Sequence, residues 1–144
     1  MEKLPPSLAE AMSRAHVALL EDLRALEGAS RQESGEGLTG LRDRLAATLN
    51  HVAAHFRFEE ENGYMDVVRT REPRLEHAVQ QLGEEHRQLK QSLEALLGEA
   101  RTATVLAPAL GEKVRGWLGQ IRRHEARENE VVQNAFNMDL GAED

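Results

Sequence analysis

The chain has 144 residues, of which 40% are hydrophobic and 30% charged, a composition typical of one globular domain rather than of a disordered segment. It contains no cysteine, which excludes disulfide bonds, thiolate metal ligands and a cysteine nucleophile. Acidic residues outnumber basic ones 25 to 18, and the net charge of -7 disfavours nucleic acid as a partner. No apolar run is long enough for a signal peptide or a membrane span, so we expect a cytoplasmic protein without membrane contact.

Proline and glycine divide the chain into four segments with helical periodicity. Gly28 ends the first segment, a loop extends from there to Gly37, and Pro73 and Pro108 open the third and fourth segments. The predicted helices cover about residues 8–27, 39–68, 73–97 and 108–137. We therefore predict an all-α fold, an antiparallel up-down-up-down four-helix bundle, in a single domain spanning 1–144.

Polar side chains interrupt the apolar stripes of these helices at positions where the periodicity predicts a core. They are His55, Glu59, His86, His124 and Glu128, joined by His16 on the inner face of the first helix. Buried carboxylates destabilise a fold unless positive charge compensates them, and no lysine or arginine falls on the inner stripes between residues 41 and 135. A metal cation is the simplest compensation, so we predict that these six residues form a metal site.

Spacing supports one common site. His55 and Glu59 are four residues apart, as are His124 and Glu128, which places the members of each pair one above the other on a helix face. In an antiparallel bundle the four histidines fall roughly 12 to 20 Å from the same end. One layer of the bundle could therefore hold all six ligands.

These residues resemble the hemerythrin-like (HHE cation-binding) family over nearly the whole chain. The shared pattern is a lone histidine in the first and third helices and His-x-x-x-Glu in the second and fourth. The resemblance implies a non-haem di-iron centre with an oxo or hydroxo bridge, although the donor types also suit manganese or zinc. It further implies that the four histidines are terminal ligands and the two glutamates bridging ones: His16, His55, His86 and His124, with Glu59 and Glu128.

The sequence departs from oxygen-carrying hemerythrins at two places. Those proteins have a second histidine four residues before or after that of the third helix, where this chain has Leu82 and Lys90. They also have an aspartate five residues after the last histidine, where this chain has Asn129. The pattern is closer to bacterial di-iron proteins implicated in repair of iron-sulfur centres, but we expect no counterpart of their usual N-terminal cysteine-containing domain.

The leading hypothesis is a di-iron protein that binds a small diatomic oxidant, dioxygen or nitric oxide, for sensing, storage or detoxification. Six ligands would leave about two coordination positions for solvent or such a molecule. One alternative is a metal-stabilised helical module that binds a protein partner or senses iron. Another is a di-iron peroxidase, oxidase or iron-sulfur repair-like protein, so the sequence leaves open whether the chain is an enzyme.

Several neighbours of these residues carry weaker predictions. His51 either supports the site or is half exposed, and His77 faces solvent. Phe56 is predicted to be an ordinary packing residue, and Gly83 either opens a path for a small ligand or allows close helix packing. Four glutamates are predicted to face solvent: Glu60, Glu61, Glu84 and Glu85.

Overall fold

The computed structural model describes residues 6–31, 37–61 and 64–136. These residues form five α-helices, with a 3₁₀ turn at Pro73–Leu75: α1 (Pro6–Ser30), α2 (Gly37–Glu61), α3 (Tyr64–Arg71), α4 (Glu76–Thr102) and α5 (Pro108–Phe136). No strand occurs within the described ranges, which confirms the all-α prediction. None of the described helices combines the length and apolar character needed to cross a bilayer.

The four long helices, α1, α2, α4 and α5, form a closed ring in which each packs mainly against two others. Arg42 at the start of α2 donates hydrogen bonds to the carbonyl oxygens of Ala100 and Ala103, at the end of α4, over 2.7 Å each. Arg115 near the start of α5 donates to the carbonyl oxygen of Ser30, at the end of α1, over 3.1 Å. Neighbouring helices therefore run antiparallel, as predicted.

Some helix boundaries differ from the prediction. Gly28 does not end α1, because Ala29 is buried against the core and its packing outweighs the roughly 1 kcal/mol that a glycine costs a helix. Gly98 likewise lies inside α4, which continues to Thr102. Pro73 opens the 3₁₀ turn rather than the α-helix itself.

The predicted second helix is described as two helices, α2 and α3, on either side of residues 62–63. Those two residues lie outside the described part of the chain, as do residues 32–36 of the predicted loop and residues 1–5 and 137–144 of the predicted domain. The fourth predicted helix agrees with α5 to the last described residue.

Two clusters of buried apolar side chains fill the bundle, one on each side of a polar layer. Leu82 of α4 belongs to the smaller cluster, which α3 helps to close, and Leu89 belongs to the larger one, with His86 between them. We call the buried polar side chains at this level the polar layer: His55, Glu59, His86, His124, Glu125 and Glu128. The apolar positions recur at helical spacing on both sides of this layer, so the same periodicity that forms the core also turns these side chains inward.

Candidate metal centre

The structure buries five of the six predicted site residues together. None of them is more than 8% exposed, and they come from three helices: His55, Glu59, His86, His124 and Glu128. The sixth, His16, is half-buried at the edge of the polar layer. Its Nδ1 donates a hydrogen bond to Oε1 of Glu125 over 3.1 Å. Glu125 was not predicted to be a site residue.

The side chains of the polar layer form two overlapping groups of donor atoms. Within each group, one nitrogen or carboxylate oxygen from every residue lies within 4.8 Å of those of the others. One group contains Glu59, His86, His124 and Glu128, and the other contains His55, Glu59, Glu125 and Glu128. Glu59 and Glu128 belong to both groups, which is the placement that a carboxylate bridging two ions requires.

Three imidazoles direct Nε2 toward the shared carboxylates. Nε2 of His86 lies 3.2 Å from Oε1 of Glu59 and from Oε2 of Glu128. Nε2 of His124 lies 3.2 Å from the same Glu128 oxygen, and Nε2 of His55 lies 3.0 Å from Oε2 of Glu59. Donor atoms from separate helices therefore converge in the middle of the bundle.

The opposite ring nitrogens of two of these histidines contact carboxylates outside the polar layer. Nδ1 of His86 lies 2.7 Å from Oε2 of Glu60, and Nδ1 of His124 lies 2.7 Å from Oε1 of Glu85. Arg127 in turn lies 2.9 Å from Glu85. Glu60 is exposed, as predicted, but it also contacts His86, whereas Glu85 is half-buried, so the prediction that Glu85 faces solvent was wrong. A carboxylate on the second nitrogen is the usual support of a metal-binding histidine, because it fixes the tautomer and the ring orientation.

Phe56 packs in the core and also contacts two of the predicted ligands. Its ring is buried and stacks on His86, with centroids 3.9 Å apart and planes inclined by 8°, and it meets His124 edge-on at 5.6 Å. Phe56 is one residue away from His55, about 100° around the helix, so it faces α4 and α5 instead of the line through His55 and Glu59. It holds two imidazole planes in place by contact.

Residues 7–136 match the family model of the hemerythrin HHE cation-binding domain. The chain belongs to this family. No curated protein and no solved structure matches the chain. Family membership and the buried His/Glu groups together indicate a metal-binding helical protein.

The charges in the polar layer of this HHE protein shift one another's pKa values. Burial alone would lower the pKa of His86, but the carboxylates of Glu128 and Glu59 outweigh burial and raise it to about 9. Burial and the neighbouring charge of Glu128 raise the pKa of Glu59 well above its ordinary value. Burial would also raise the pKa of Glu128, but hydrogen bonds from His124 and His86 lower it. Without a metal, a proton on His86 supplies positive charge in this layer.

The polar layer of the HHE domain has unused donor atoms. In the described part of the chain, several buried atoms make no hydrogen bond: Nδ1 and Nε2 of His55, Oε1 of Glu59 and Oε2 of Glu125. Two of them, Nε2 of His55 and Oε1 of Glu59, lie 3.0 and 3.2 Å from other potential ligand atoms of the layer without forming hydrogen bonds. A small, partly open cavity of about 10 Å³ lies among them, bordered also by His16 and Glu128.

The excess of negative charge among the buried residues is consistent with a bound metal cation. Three glutamates are buried, Glu59, Glu125 and Glu128, and no lysine or arginine is buried among the described residues. Burying a carboxylate without a compensating cation is strongly unfavourable. The imidazole and carboxylate donors of the HHE domain therefore fit a divalent cation in number, charge and convergence.

Three other predictions concern residues near this site. His51 is exposed, and its Nδ1 lies 2.6 Å from Oδ2 of Asp22 on α1, which favours the half-exposed interpretation. His77 is exposed on α4, as predicted. A Cβ added at Gly83 would meet nothing within 4 Å, so this glycine is not required for close helix packing. Instead it borders a surface groove that also contains Glu60.

Proposed function

We propose that the polar layer of this HHE protein holds two iron ions, and that this centre binds a small oxidant, dioxygen or nitric oxide, for sensing, storage or detoxification. The observation that carries the proposal is the pair of overlapping donor groups that share Glu59 and Glu128. The donor types suit iron, and also manganese or zinc. The choice of iron rests on the resemblance to hemerythrin-like proteins.

Each half of the layer would hold one ion. His86 and His124 would bind one ion, and His16 and His55 the other, with both shared glutamates between the ions. Two ferrous ions, when bound, supply the two electrons that a two-electron reduction of dioxygen needs. The chain itself supplies fixed ligands, and carboxylates whose negative charge compensates the charge of the metal.

The protein contributes orientation and exclusion of water. Glu60 and Glu85 hold the Nδ1 atoms of His86 and His124, so that Nε2 of each ring points into the layer. Apolar clusters on both sides of the layer keep bulk water away from the donor atoms. The predicted ligands on α2, α4 and α5 are at most 8% exposed, and a site this deeply buried favours a small ligand such as a diatomic molecule.

Anaerobic loading followed by exposure to oxygen tests this proposal. The metal-free protein is given ferrous iron without air, excess iron is removed, and the iron content and absorption spectrum are measured before and after oxygen is admitted. We expect about two irons per chain, and new near-ultraviolet and visible charge-transfer bands after oxygen is added. Less than one iron per chain together with an unchanged spectrum would refute the proposal.

Turnover distinguishes reversible binding from catalysis. A peroxidase or oxidase consumes peroxide or oxygen continuously in the presence of an electron donor, whereas a carrier or sensor takes up one equivalent and stops. Steady-state consumption of peroxide or oxygen at a rate proportional to the concentration of iron-loaded protein would show that the protein is an enzyme. A single-equivalent uptake supports binding.

A second candidate function is a metal-stabilised helical module or iron sensor, favoured by the three buried glutamates without a buried lysine or arginine among the described residues. Metal binding to such a layer is coupled to folding. This function requires the bundle to lose helix cooperatively when a chelator removes the metal, which circular dichroism measures. Equal melting temperatures for the metal-free and metal-loaded forms would rule it out.

A further inference from the structure

Glu125 is a buried carboxylate of the polar layer, and only one of its two oxygens makes a hydrogen bond to a described residue. The residue is 5% exposed, and its Oε1 lies 3.1 Å from Nδ1 of His16 and 3.6 Å from Nε2 of His55. Its other oxygen, Oε2, is buried and makes no hydrogen bond to any described residue. A carboxylate oxygen in that position lowers stability unless a cation or a donor completes it.

Glu125 divides the polar layer into two unequal halves. It belongs to the donor group that contains His55 and is not part of the group that contains His86 and His124. The histidines of that second group are supported by Glu60 and Glu85 from outside the layer. Nδ1 of His55 makes no hydrogen bond to any described residue, so this histidine, in the half with Glu125, lacks such outer support. It has an additional inner carboxylate instead.

We infer that Glu125 is a seventh protein ligand of the metal centre, bound to the ion on the His16 and His55 side. This inference rests on the proposed function, because it assumes that the layer holds metal. Four observations carry it: the burial of Glu125, its free oxygen, its membership in a convergent donor group, and the small cavity that it borders with His55. His16 approaches Glu125 from α1 and holds the carboxylate on this side of the layer.

The additional ligand changes what the centre can bind. The six predicted ligands leave about two positions for solvent or an exogenous ligand, and a seventh leaves about one. The ion beside Glu125 has more protein ligands, so the remaining position belongs to the ion held by His86 and His124. A third carboxylate also adds a hard, anionic oxygen donor, which favours ferric over ferrous iron on its side.

Glu125→Gln is the decisive variant because it keeps the shape of the side chain and removes its charge. Glu130→Gln is the matched control, since Glu130 is exposed on the same helix, little more than one turn away. Both proteins are purified without metal, checked for helix content by circular dichroism, loaded with ferrous iron without air and titrated with a competing chelator. The measured quantities are iron per chain and the affinity of each bound ion.

We expect Glu125→Gln to lower the affinity of one of the two ions by at least about tenfold while the other stays bound. Glu130→Gln should match the unmodified chain. The inference is overturned if Glu125→Gln binds both ions with unchanged affinity. Should that variant lack helix content, Glu125→Asp is measured in the same way: the shorter carboxylate must weaken the same ion, and unchanged affinity again overturns the inference.

The outcomes separate this inference from the proposed function. If the unmodified chain binds two ions and Glu125→Gln does so equally well, only the role of Glu125 is refuted. If the unmodified chain binds no iron, the proposed function itself fails. Removing a buried, incompletely paired carboxylate should also raise the melting temperature of the metal-free protein, whereas a purely structural role for Glu125 predicts a decrease.

Discussion

Oε1 of Glu85 lies 2.7 Å from Nδ1 of His124, and Nε2 of the same imidazole faces Oε2 of Glu128 at 3.2 Å. One carboxylate from α4 thus fixes the direction in which a histidine of α5 presents its second nitrogen. Burial would raise the pKa of Glu85, but Arg127 and His124 outweigh it and lower the pKa. Glu85 therefore stays negatively charged near neutral pH, as a partner of a metal-binding histidine must.

Glu85→Gln should weaken metal binding without removing a ligand. Loss of an outer carboxylate partner typically lowers metal affinity by about 10- to 100-fold, since the imidazole becomes less basic and less well oriented. Chelator competition measures the change. Glu84→Gln is the control, because Glu84 is exposed on the same turn of α4. A similar loss in both variants would show that Glu85 acts only through surface charge.

Removing a predicted ligand should reduce metal binding more than Glu85→Gln does. His55→Ala or Glu59→Ala should lose most of the bound metal, because each side chain contributes a donor atom to the polar layer. His77→Ala should keep its metal, since His77 is exposed on α4. Elemental analysis after loading gives the comparison. Equal metal content in all three variants would contradict the proposal that His55 and Glu59 bind the metal and His77 does not.

The metal-free protein should become less stable as pH rises. The pKa of His86 is raised from 6.5 to about 9 by Glu128 and Glu59 against the effect of burial, so the folded chain binds this proton more tightly than the unfolded chain. Its contribution is complete below pH 6.5 and is lost as pH rises through about 9. Glu59, whose pKa is also raised, acts in the same direction.

Urea unfolding between pH 6 and pH 10, with a chelator present, measures this effect. The shift of His86 alone corresponds to on the order of 3 kcal/mol in the free energy of unfolding. His86→Gln should make the free energy of unfolding depend less on pH. Metal loading should release protons from the layer, so metal affinity should increase with pH over the same range. A stability that stays constant or increases with pH would refute the account of the metal-free layer.

Two glycines should respond oppositely to alanine. A Cβ at Gly83 would meet nothing within 4 Å, so Gly83→Ala should raise the free energy of unfolding by about 0.5–1 kcal/mol through helix propensity. At Gly111 a Cβ would lie 2.7 Å from the carbonyl oxygen of Ser30, so Gly111→Ala should lower it by about 1–3 kcal/mol. Thermal unfolding of both variants tests the helix packing, and a stabilised Gly111→Ala would contradict it.

The periodicity of single helices was sufficient to predict five residues of the polar layer. Each of them lies in phase with apolar neighbours on its own helix, so its inward direction follows from spacing alone. Glu125 was missed because the apolar positions of the fourth helix were traced as one narrow row of residues three and four apart, which contains His124 and Glu128. The buried face of α5 is wider than this row and also includes Glu125. Glu125 is four residues after Ile121 and three before Glu128, both buried, so the wider stripe contained the signal.

Partners on separate helices could not be predicted in this way. Glu60 and Glu85 each adjoin an inward-facing residue, about 100° away on the helix surface, which indicates solvent when one helix is considered alone. Their contacts with His86 and His124 depend on the spacing and rotation of neighbouring helices. The same applies to Phe56, whose stacking on His86 requires α2 and α4 to be adjacent. The sequence therefore predicted the layer but not the contacts that orient it.

Anomalous diffraction from iron-loaded crystals tests the central claim most directly. Data collected at the iron absorption edge locate the ions independently of any assumption about ligands. The account predicts two anomalous peaks inside the polar layer, with Glu59 and Glu128 between them, one beside His86 and His124 and the other beside His55. A polar layer without anomalous density, or peaks only at exposed carboxylates, would contradict it.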